Sequence, residues 1–476
     1  MTNPFTFPLI KQTFQALGRN LTQYCNKCNA NRFDLVIDNL IGAKNNLCFK
    51  CRFQRNLIKL LLIRWFKFYN FDYNTLVMLC KNPTMRKLIK NIFKGMGLFG
   101  LQKPFITGAP LSVVWNYTKK CNLRCAHCFS DSKFNQKSDD ELTTNEAKQV
   151  INILAANDVL TVNFCGGEPL MREDLFEIIQ YTNDKGIFPS LSTNATLLTK
   201  DICQKLYDAG IRDITISLDG ISSKSHEHLR NVLGTFEKAV NGIKNAVEFG
   251  KFEEIIVNTT LLNFNYDEIP DIYKFIKELG ATGYYVSRIL PTGRGKDYLK
   301  HSVSNDVMLN TMKFMAKKFI QNALDESELL VYGRGMPYFS RACFELSNGD
   351  VFPVCEILTG HESKYQEFFD GNAAKIINEL YPFFSGCATG LFYCGLDCDG
   401  NILPCAPAGH IKLGKILEKG LSEIWIKSPV LNKIRQRNKI NGKCSKCKSK
   451  VFCGGCRLTA YGLTGDWLGS DLSCPY

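Results

Sequence analysis

The sequence predicts an α/β protein whose middle is a parallel sheet, either a partial (β/α)6 barrel or an open sheet, with a basic segment before it and a cysteine-rich extension after it. Three observations carry that expectation. Six short runs rich in β-branched residues alternate with helix-length segments between residues 112 and 287, positive charge is concentrated before residue 110, and most of the 21 cysteines fall in four clusters. At 476 residues, with 45% hydrophobic and 22% charged composition, the chain has the make-up of an ordinary folded protein of two or three domains.

Residues 1–110 hold 17 Lys and Arg against 3 Asp and Glu, while the rest of the chain has 42 of each, so this segment accounts for the net charge of +14. A step this sharp marks a boundary near Thr107–Pro110. It suggests an anionic partner for residues 1–110, such as nucleic acid, an acidic peptide or a membrane surface; a solvated basic face is the plain alternative. Within the segment, Cys25-x2-Cys28 and Cys48-x2-Cys51 have the spacing of a zinc ribbon, with an Fe–S cluster as the second choice. "MRKLIKNIFKGMGLF" from Met85 has a basic amphipathic pattern suited to a partner, a membrane surface or its own domain. No signal peptide is expected, and "LIKLLLIRWF" from Leu57, broken by Lys59 and Arg64, is too short to span a bilayer. A cytoplasmic protein is therefore expected, where thiols stay reduced and clustered cysteines read as metal ligands, not disulfides.

Expected strands run over 112–116, 160–164, 188–192, 213–218, 255–260 and 283–287. Helices are expected over 144–156, 174–185, 200–209, 236–249 and 266–279. Strand, helix, strand at this spacing predicts βαβ units, with the active site at the C-terminal strand ends. Just past the first strand, "KKCNLRCAHCFSDS" places Cys121, Cys125 and Cys128 in a C-x3-C-x2-C run. A cubane [4Fe–4S] cluster wants four ligands, so three thiolates leave one iron open to a small molecule. A zinc site completed by His127 is the alternative, disfavoured because His127 would crowd the ligands on either side of it.

Further stretches follow in order: "FCGGEPLMRED", "LSTNAT", "ITISLDG" and "HEHLRNVLGTFEKAV". Taken with the cysteine run, the chain resembles the radical S-adenosylmethionine (radical SAM) superfamily. That resemblance implies a partial (β/α)6 barrel over residues 111–300, with a [4Fe–4S] cluster on Cys121, Cys125 and Cys128 and S-adenosylmethionine bound through its amino and carboxylate groups to the open iron. It implies contact of Gly166, Gly167 and Glu168 with the methionyl amino group, roles for Ser192, Asn194, Ser217 and Asp219 around the ligand, Arg230 at the carboxylate and His127 against the adenine. Its chemistry is reductive cleavage to a 5′-deoxyadenosyl radical, with electrons from a donor such as ferredoxin or flavodoxin.

After a bridging region over 301–380, residues 381–476 supply Cys387, Cys394, Cys398 and Cys405, then Cys444, Cys447, Cys453, Cys456 and Cys474. This resembles the SPASM extension, which implies two auxiliary [4Fe–4S] clusters. The first is expected on Cys387, Cys394, Cys405 and Cys456, with Cys398 competing with Cys394. The second is expected on Cys444, Cys447, Cys453 and Cys474. The Cys453-x2-Cys456 spacing is one residue shorter than the commonest SPASM pattern, and a zinc knuckle on Cys444, Cys447, Cys453 and Cys456 is the alternative.

The resemblance leads first to modification of a peptide or protein, and close behind it to tetrapyrrole side-chain decarboxylation in the heme pathways or related cofactor maturation. "LPTGRG" and "CGGCRLTAYGLTGDWL" point to that second branch. Arg288 and Arg294 could pair with propionates or an acidic peptide, or anchor loops. Ala406, after the Gly400-x4-Cys405 ending, argues against the sulfatase-maturing branch. A non-catalytic Fe–S electron-transfer or binding module is the alternative from another class. Cys80, Cys165, Cys203, Cys343 and Cys355 read as buried free thiols, with Cys343 or Cys355 as candidates to line a substrate cavity.

Overall fold

In the computed structural model the chain is described for residues 8–43, 46–68, 77, 80–324, 329–334, 336–347 and 386–476. The N-terminal part is built on helices Pro8–Leu21, Arg32–Leu40, Phe49–Phe68 and Pro83–Phe99, with a small antiparallel ribbon of β1 (Tyr24–Cys25) and β2 (Ala30–Asn31). Asn31 and Asn82 start two of these helices, each side-chain oxygen accepting from the first turn, and Pro83 follows Asn82 where its missing N–H costs nothing.

The amphipathic stretch at Met85 forms a packing helix. One side meets helix Pro8–Leu21 at a glycine crossing, where a Cβ on Gly18 would stand 2.6 Å from Gly97 N. The other side seats on the N-terminal end of the barrel. Asn91 Nδ2 donates to Asp158 O (3.0 Å), Lys90 pairs with Asp158 (3.1 Å), and Gly95 presses on Ile106 and Thr107.

The six expected strands form and pair in parallel: β3 (Ser112–Thr118), then, past the short parallel pair β4 (Lys120–Cys121) and β5 (Lys133–Phe134), β6 (Thr161–Gly166), β7 (Phe188–Thr193), β8 (Asp213–Ser217), β9 (Glu254–Leu261) and β10 (Gly283–Arg288). Thr143 and Glu146 make a capping box at the start of helix Thr144–Ala156, and Thr199 caps helix Lys200–Ala209. Alternation decides the faces. Val113, Trp115, Val162, Phe164, Ile214 and Ile216 point to the helix layer and form the core, while Asn163, Ser190 and Ser192 point inward and hydrogen-bond to one another.

The sheet extends past these six strands at both edges. β11 (Leu330–Arg334) adds in parallel to β10, and β12 (Tyr393–Leu396) adds in parallel to β3, followed by antiparallel β13 (Asn401–Leu403) and β14 (Gly414–Lys415). The cysteine-rich region thus shares the barrel's own sheet. Trp425 Nε1, donating to Thr107 O (3.0 Å), ties it to the start of the barrel as well.

Cys80 and Cys203 are buried thiols that burial pushes up to about 11, and Cys165 donates to Asn116 Oδ1 (3.2 Å). Cys343 is fully buried in the hydrophobic core, and Cys355 falls outside the described residues.

Candidate functional site

The end of β3 turns into a loop that carries the three cysteines, closed where Lys120–Cys121 pairs with Lys133–Phe134. Backbone and side-chain donors point at the sulfurs: Leu123 N to Cys121 Sγ (3.4 Å), Ser132 N to Cys128 Sγ (3.5 Å), and Arg230 Nη1 to Cys125 Sγ (3.8 Å). Ser130 Oγ and Ser132 Oγ each lie 3.3 Å from Cys128 Sγ. Burial pushes Cys121 up to about 12 and raises Cys125. At Cys128 the same burial is outweighed by the Ser130 and Ser132 hydroxyls, which bring its thiol below the ordinary range. Each of the three sits in the field of another thiol of the run or of such donors, an arrangement suited to thiolate ligands of one metal centre.

Gly166 and Gly167 lie against this loop, not open to a ligand on every side. Gly167 N donates to Thr118 O (2.7 Å) and Glu168 N to Lys120 O (2.8 Å), and a Cβ on Gly167 would come within 2.1 Å of Lys120 O. Gly166 takes φ 125°, a conformation that side chains rarely adopt. Glu168 is fully buried. Its carboxylate accepts from Thr193 Oγ1 (2.7 Å), Asn194 N (2.8 Å) and Leu170 N (3.2 Å), yet burial raises it to about 7.

Beyond it Asn194 joins Asn122 and Thr196 in a ring: Asn194 Nδ2 donates to Asn122 Oδ1 (2.8 Å) and Thr196 Oγ1 to Asn194 Oδ1 (2.6 Å). Ser192 donates to Asn163 Oδ1 (2.9 Å) on the inner face of the barrel. Ser217, at the end of β8, pairs in register with Asn258.

Asp219 and Arg230 form a buried ion pair beside the cysteine loop. Arg230 Nε and Nη2 reach Asp219 Oδ2 at 2.6 and 2.5 Å, Thr260 N donates to Asp219 Oδ1 (2.8 Å), and Asp219 N donates to His226 Nδ1 (3.1 Å). Burial opposes the charge on both, but each holds the other ionised: Asp219 stays below the carboxylate range and Arg230 above its own. His127 is lowered to about 3 by burial, and its Nδ1 is buried with no hydrogen-bond partner among the described residues. A neutral ring with an unfilled polar atom beside three thiols fits an adenine-bearing ligand on a cluster.

The C-terminal thiols fall into two groups. Burial raises Cys405 well above the thiol range, and the neighbouring Cys456 and Cys387 push it the same way. Burial raises Cys474 and Cys453, with Cys444 near the first and Cys474 near the second adding to the shift, and Cys447 N donates to Cys444 O (3.2 Å). The two groups touch where Cys387 N donates to Cys453 O (3.0 Å). The short Cys453-x2-Cys456 link is made by Gly454 and Gly455, both left-handed at φ 67° and 60°.

Cys394 does not join the first group. It pairs in register with Val113, so it faces the helix side of the sheet, whereas Asn116, on the opposite face, donates to Ala406 O (2.8 Å) beside Cys405. Burial alone raises Cys394, to about 12. Cys398 also stands apart, donating to Asp399 Oδ1 (3.2 Å) near Glu141.

Residues 115–276 match the Radical SAM superfamily, and residues 387–448 match SPASM, described as an iron–sulfur cluster-binding domain. The chain is 32% identical over 374 residues to the AdoMet-dependent heme synthase of Methanosarcina barkeri, covering 78% of this chain and 98% of that protein. The chain belongs to the radical SAM superfamily. It is a radical SAM/SPASM protein of the heme-pathway branch and a [4Fe–4S]-dependent enzyme, which sets aside the non-catalytic module. It is also 27% identical to mycofactocin maturase MftC of Mycolicibacterium smegmatis, over 77% of this chain and 83% of that one. In fold it resembles Streptococcus suis SuiB, with TM-score 0.59 and 18% identity over 93% of this chain and 92% of that one.

In this radical SAM enzyme the two arginines at and after the end of the sixth strand take the loop-anchoring role that was their plain alternative. Arg294 Nε donates to Cys125 O (2.9 Å) and its Nη1 to Ser132 O (2.8 Å) and Asp131 Oδ1 (3.0 Å), so it anchors the cysteine loop. Arg288, at the end of β10, is buried against Asp471 (3.3 Å), Tyr338, Thr459 and Ser473, while Asp471 accepts from Cys456 N (2.8 Å). Both arginines are thus engaged within the chain and not held out for a substrate carboxylate. Asn258 Oδ1 is buried with no hydrogen-bond partner among the described residues, an open acceptor beside Ser217. The only sequence signal for it is an inward polar position in "VNTT". Among the described residues no helix is long and apolar enough to cross a membrane.

Proposed function

We propose that this enzyme converts a propionate side chain of a tetrapyrrole to a vinyl group: a hydrogen atom is taken from the side-chain carbon attached to the ring, the bond to the carboxylate carbon breaks to release carbon dioxide and form the double bond, and the one electron left over passes to a one-electron acceptor of the iron–sulfur or flavin class. The observation that carries the reading is 32% identity running through 98% of a protein named AdoMet-dependent heme synthase. When bound, the cluster and S-adenosylmethionine supply a 5′-deoxyadenosyl radical able to break an unactivated C–H bond. Cys121, Cys125 and Cys128 hold the cluster. Arg230, positioned by Asp219, takes the methionyl carboxylate; Gly166, Gly167 and Glu168 take the amino group; Ser192, Asn194 and Ser217 complete the pocket; and His127 receives the adenine. On the polar inner wall, Asn258 Oδ1 is left as an acceptor for ligand or substrate.

Two auxiliary [4Fe–4S] clusters complete the reading, one reached through Cys387, Cys405 and Cys456 and one on Cys444, Cys447, Cys453 and Cys474. Electrons enter from a donor such as ferredoxin or flavodoxin, and the basic surface of residues 1–110 offers itself to an anionic partner. A peptide substrate is the second reading, favoured by the 27% likeness to a mycofactocin maturase.

The test is turnover. Anaerobically reconstituted enzyme with reductant and S-adenosylmethionine is given iron-coproporphyrin III, and products are followed by mass spectrometry. Loss of carbon dioxide and two hydrogens per side chain, matched by 5′-deoxyadenosine, is expected. Full clusters and adenosylmethionine cleavage without any change in the porphyrin would overturn the tetrapyrrole reading and send the search to peptides.

A further inference from the structure

The N-terminal thiols belong to none of the three clusters, and neither matched region reaches them. Cys25 ends β1, and Cys28 sits in the turn to β2, with Cys28 N donating to Cys25 O (3.2 Å) and Asn29 in the left-handed region at φ 52°. Cys48 and Cys51 come from the start of helix Phe49–Phe68, where Arg52 N donates to Cys48 O (2.9 Å). Two turns distant in sequence thus aim four sulfurs at one point. All four Sγ atoms lie within 4.8 Å of one another, and Cys25 and Cys48 are 3.7 Å apart.

These distances discriminate between occupants. A disulfide needs about 2.05 Å between sulfurs, so none is formed across the 3.7 Å gap between Cys25 and Cys48. Four thiolates around one zinc ion, each about 2.3 Å from it, stand about 3.8 Å apart at the edges of a tetrahedron. A cubane cluster instead places a separate iron under each thiolate and spreads its ligands wider. We propose that Cys25, Cys28, Cys48 and Cys51 hold a single structural zinc ion.

The surroundings suit that ion. The donor set is closed, four thiolates with no place for water, and Leu35 and Leu47 pack around it. Cys48 N donates to Cys28 Sγ (3.3 Å), and the first turn of helix Phe49–Phe68 adds its positive end. A tetrathiolate zinc centre carries two net negative charges, and Lys27, Lys50 and Arg52 stand exposed within or next to the two ligand pairs.

The ion also has a mechanical role. Leu35 shares helix Arg32–Leu40 with Phe33 and Val36, which pack with Phe93 and Met96 of helix Pro83–Phe99, and that helix is the one seated on the barrel. Arg86 reinforces the joint by pairing with Asp38 (2.7 Å) and Asp34 (3.3 Å). Zinc therefore fixes the orientation of the helix that closes the N-terminal end of the barrel.

The experiment uses the full chain, reconstituted anaerobically with iron and sulfide, and compares it with Cys28→Ser/Cys48→Ser. About one zinc per chain is expected in the wild type and none in the variant, with iron unchanged. A wild type without zinc, a variant that keeps its zinc, or a variant that loses about four irons in place of zinc overturns the proposal. Should the variant fail to fold, the wild type decides. Mapped by mass spectrometry, its four thiols are expected to resist alkylation until a chelator removes the zinc and to react in step with zinc release. Ready alkylation while the zinc is retained overturns the proposal.

Discussion

Asp219→Asn tests the polar pair on which the ligand site turns. Asp219 is completely buried; its Oδ2 accepts two N–H groups of Arg230 at 2.6 and 2.5 Å, and its Oδ1 accepts Thr260 N at 2.8 Å. Asparagine keeps the shape and an acceptor for Thr260 but leaves the guanidinium charge uncompensated. Removing one member of a buried pair costs about 3–5 kcal/mol, and the retained acceptor puts this variant near the lower end, about 3 kcal/mol. If Arg230 grips the methionyl carboxylate, its lost orientation also weakens a charged hydrogen bond of about 1.5–3 kcal/mol. That is roughly a 10- to 150-fold rise in the Kd for S-adenosylmethionine, at about 1.4 kcal/mol per tenfold. The assay is titration of the reduced cluster with S-adenosylmethionine by EPR, alongside denaturant unfolding. Lower stability with unchanged affinity would refute Asp219 as a positioning residue and leave it only closing the turn after β8. The sign with pH is defined: burial opposes ionisation but Arg230 outweighs it, so the folded carboxyl lies below its ordinary value. Its stabilisation is present above about pH 3.9 and is lost as pH falls through the folded value; Asp219→Asn removes that acid-side slope.

Two further outcomes are expected. Gly167→Ala puts a Cβ 2.1 Å from Lys120 O, so the cysteine loop must move; iron content should fall by about four per chain with the auxiliary clusters kept, and full iron would refute the packing argument. Glu168, raised by burial from 4.5 to about 7, contributes stability that is complete below its ordinary value and is lost as pH rises through about 7, on the order of 3 kcal/mol. Unfolding of the chain free of S-adenosylmethionine between about pH 4.5 and 7.5 should show that loss, levelling off above about pH 7, and Glu168→Gln should abolish it; a flat profile across that window in the wild type would sink the assignment.

Much of the barrel was legible because its signals are local. Helices Thr144–Ala156 and Lys200–Ala209 begin and end where caps and periodicity place them, and the strands differ by a residue or two at their ends. The cysteine loop was legible because C-x3-C-x2-C is a short-range pattern. Other features were not, since they depend on partners far along the chain. Arg288 meets Asp471, 183 residues on, and no pattern near Arg288 announces it. Cys394 counts correctly along the sequence for a cluster ligand, yet strand register with Val113 turns it to the other face. β11 and β12 were missed because a strand recruited to a sheet edge owes its existence to the neighbour it pairs with.

The sequence by itself determined the chemistry: which thiols are spaced for clusters, where glycines permit close approach, and where strands alternate with helices. These are properties of residues within a turn or two of one another, and the backbone geometry of short segments enforces them. Tertiary structure alone decided which of those groups are free to act. It bound Arg288 and Arg294 into the frame, left His127 Nδ1 and Asn258 Oδ1 buried without partners among the described residues, and brought four N-terminal sulfurs to one point. The physical reason is that burial and pairing depend on what the rest of the chain brings within a few ångströms, and that distance is not written in the spacing of any single motif.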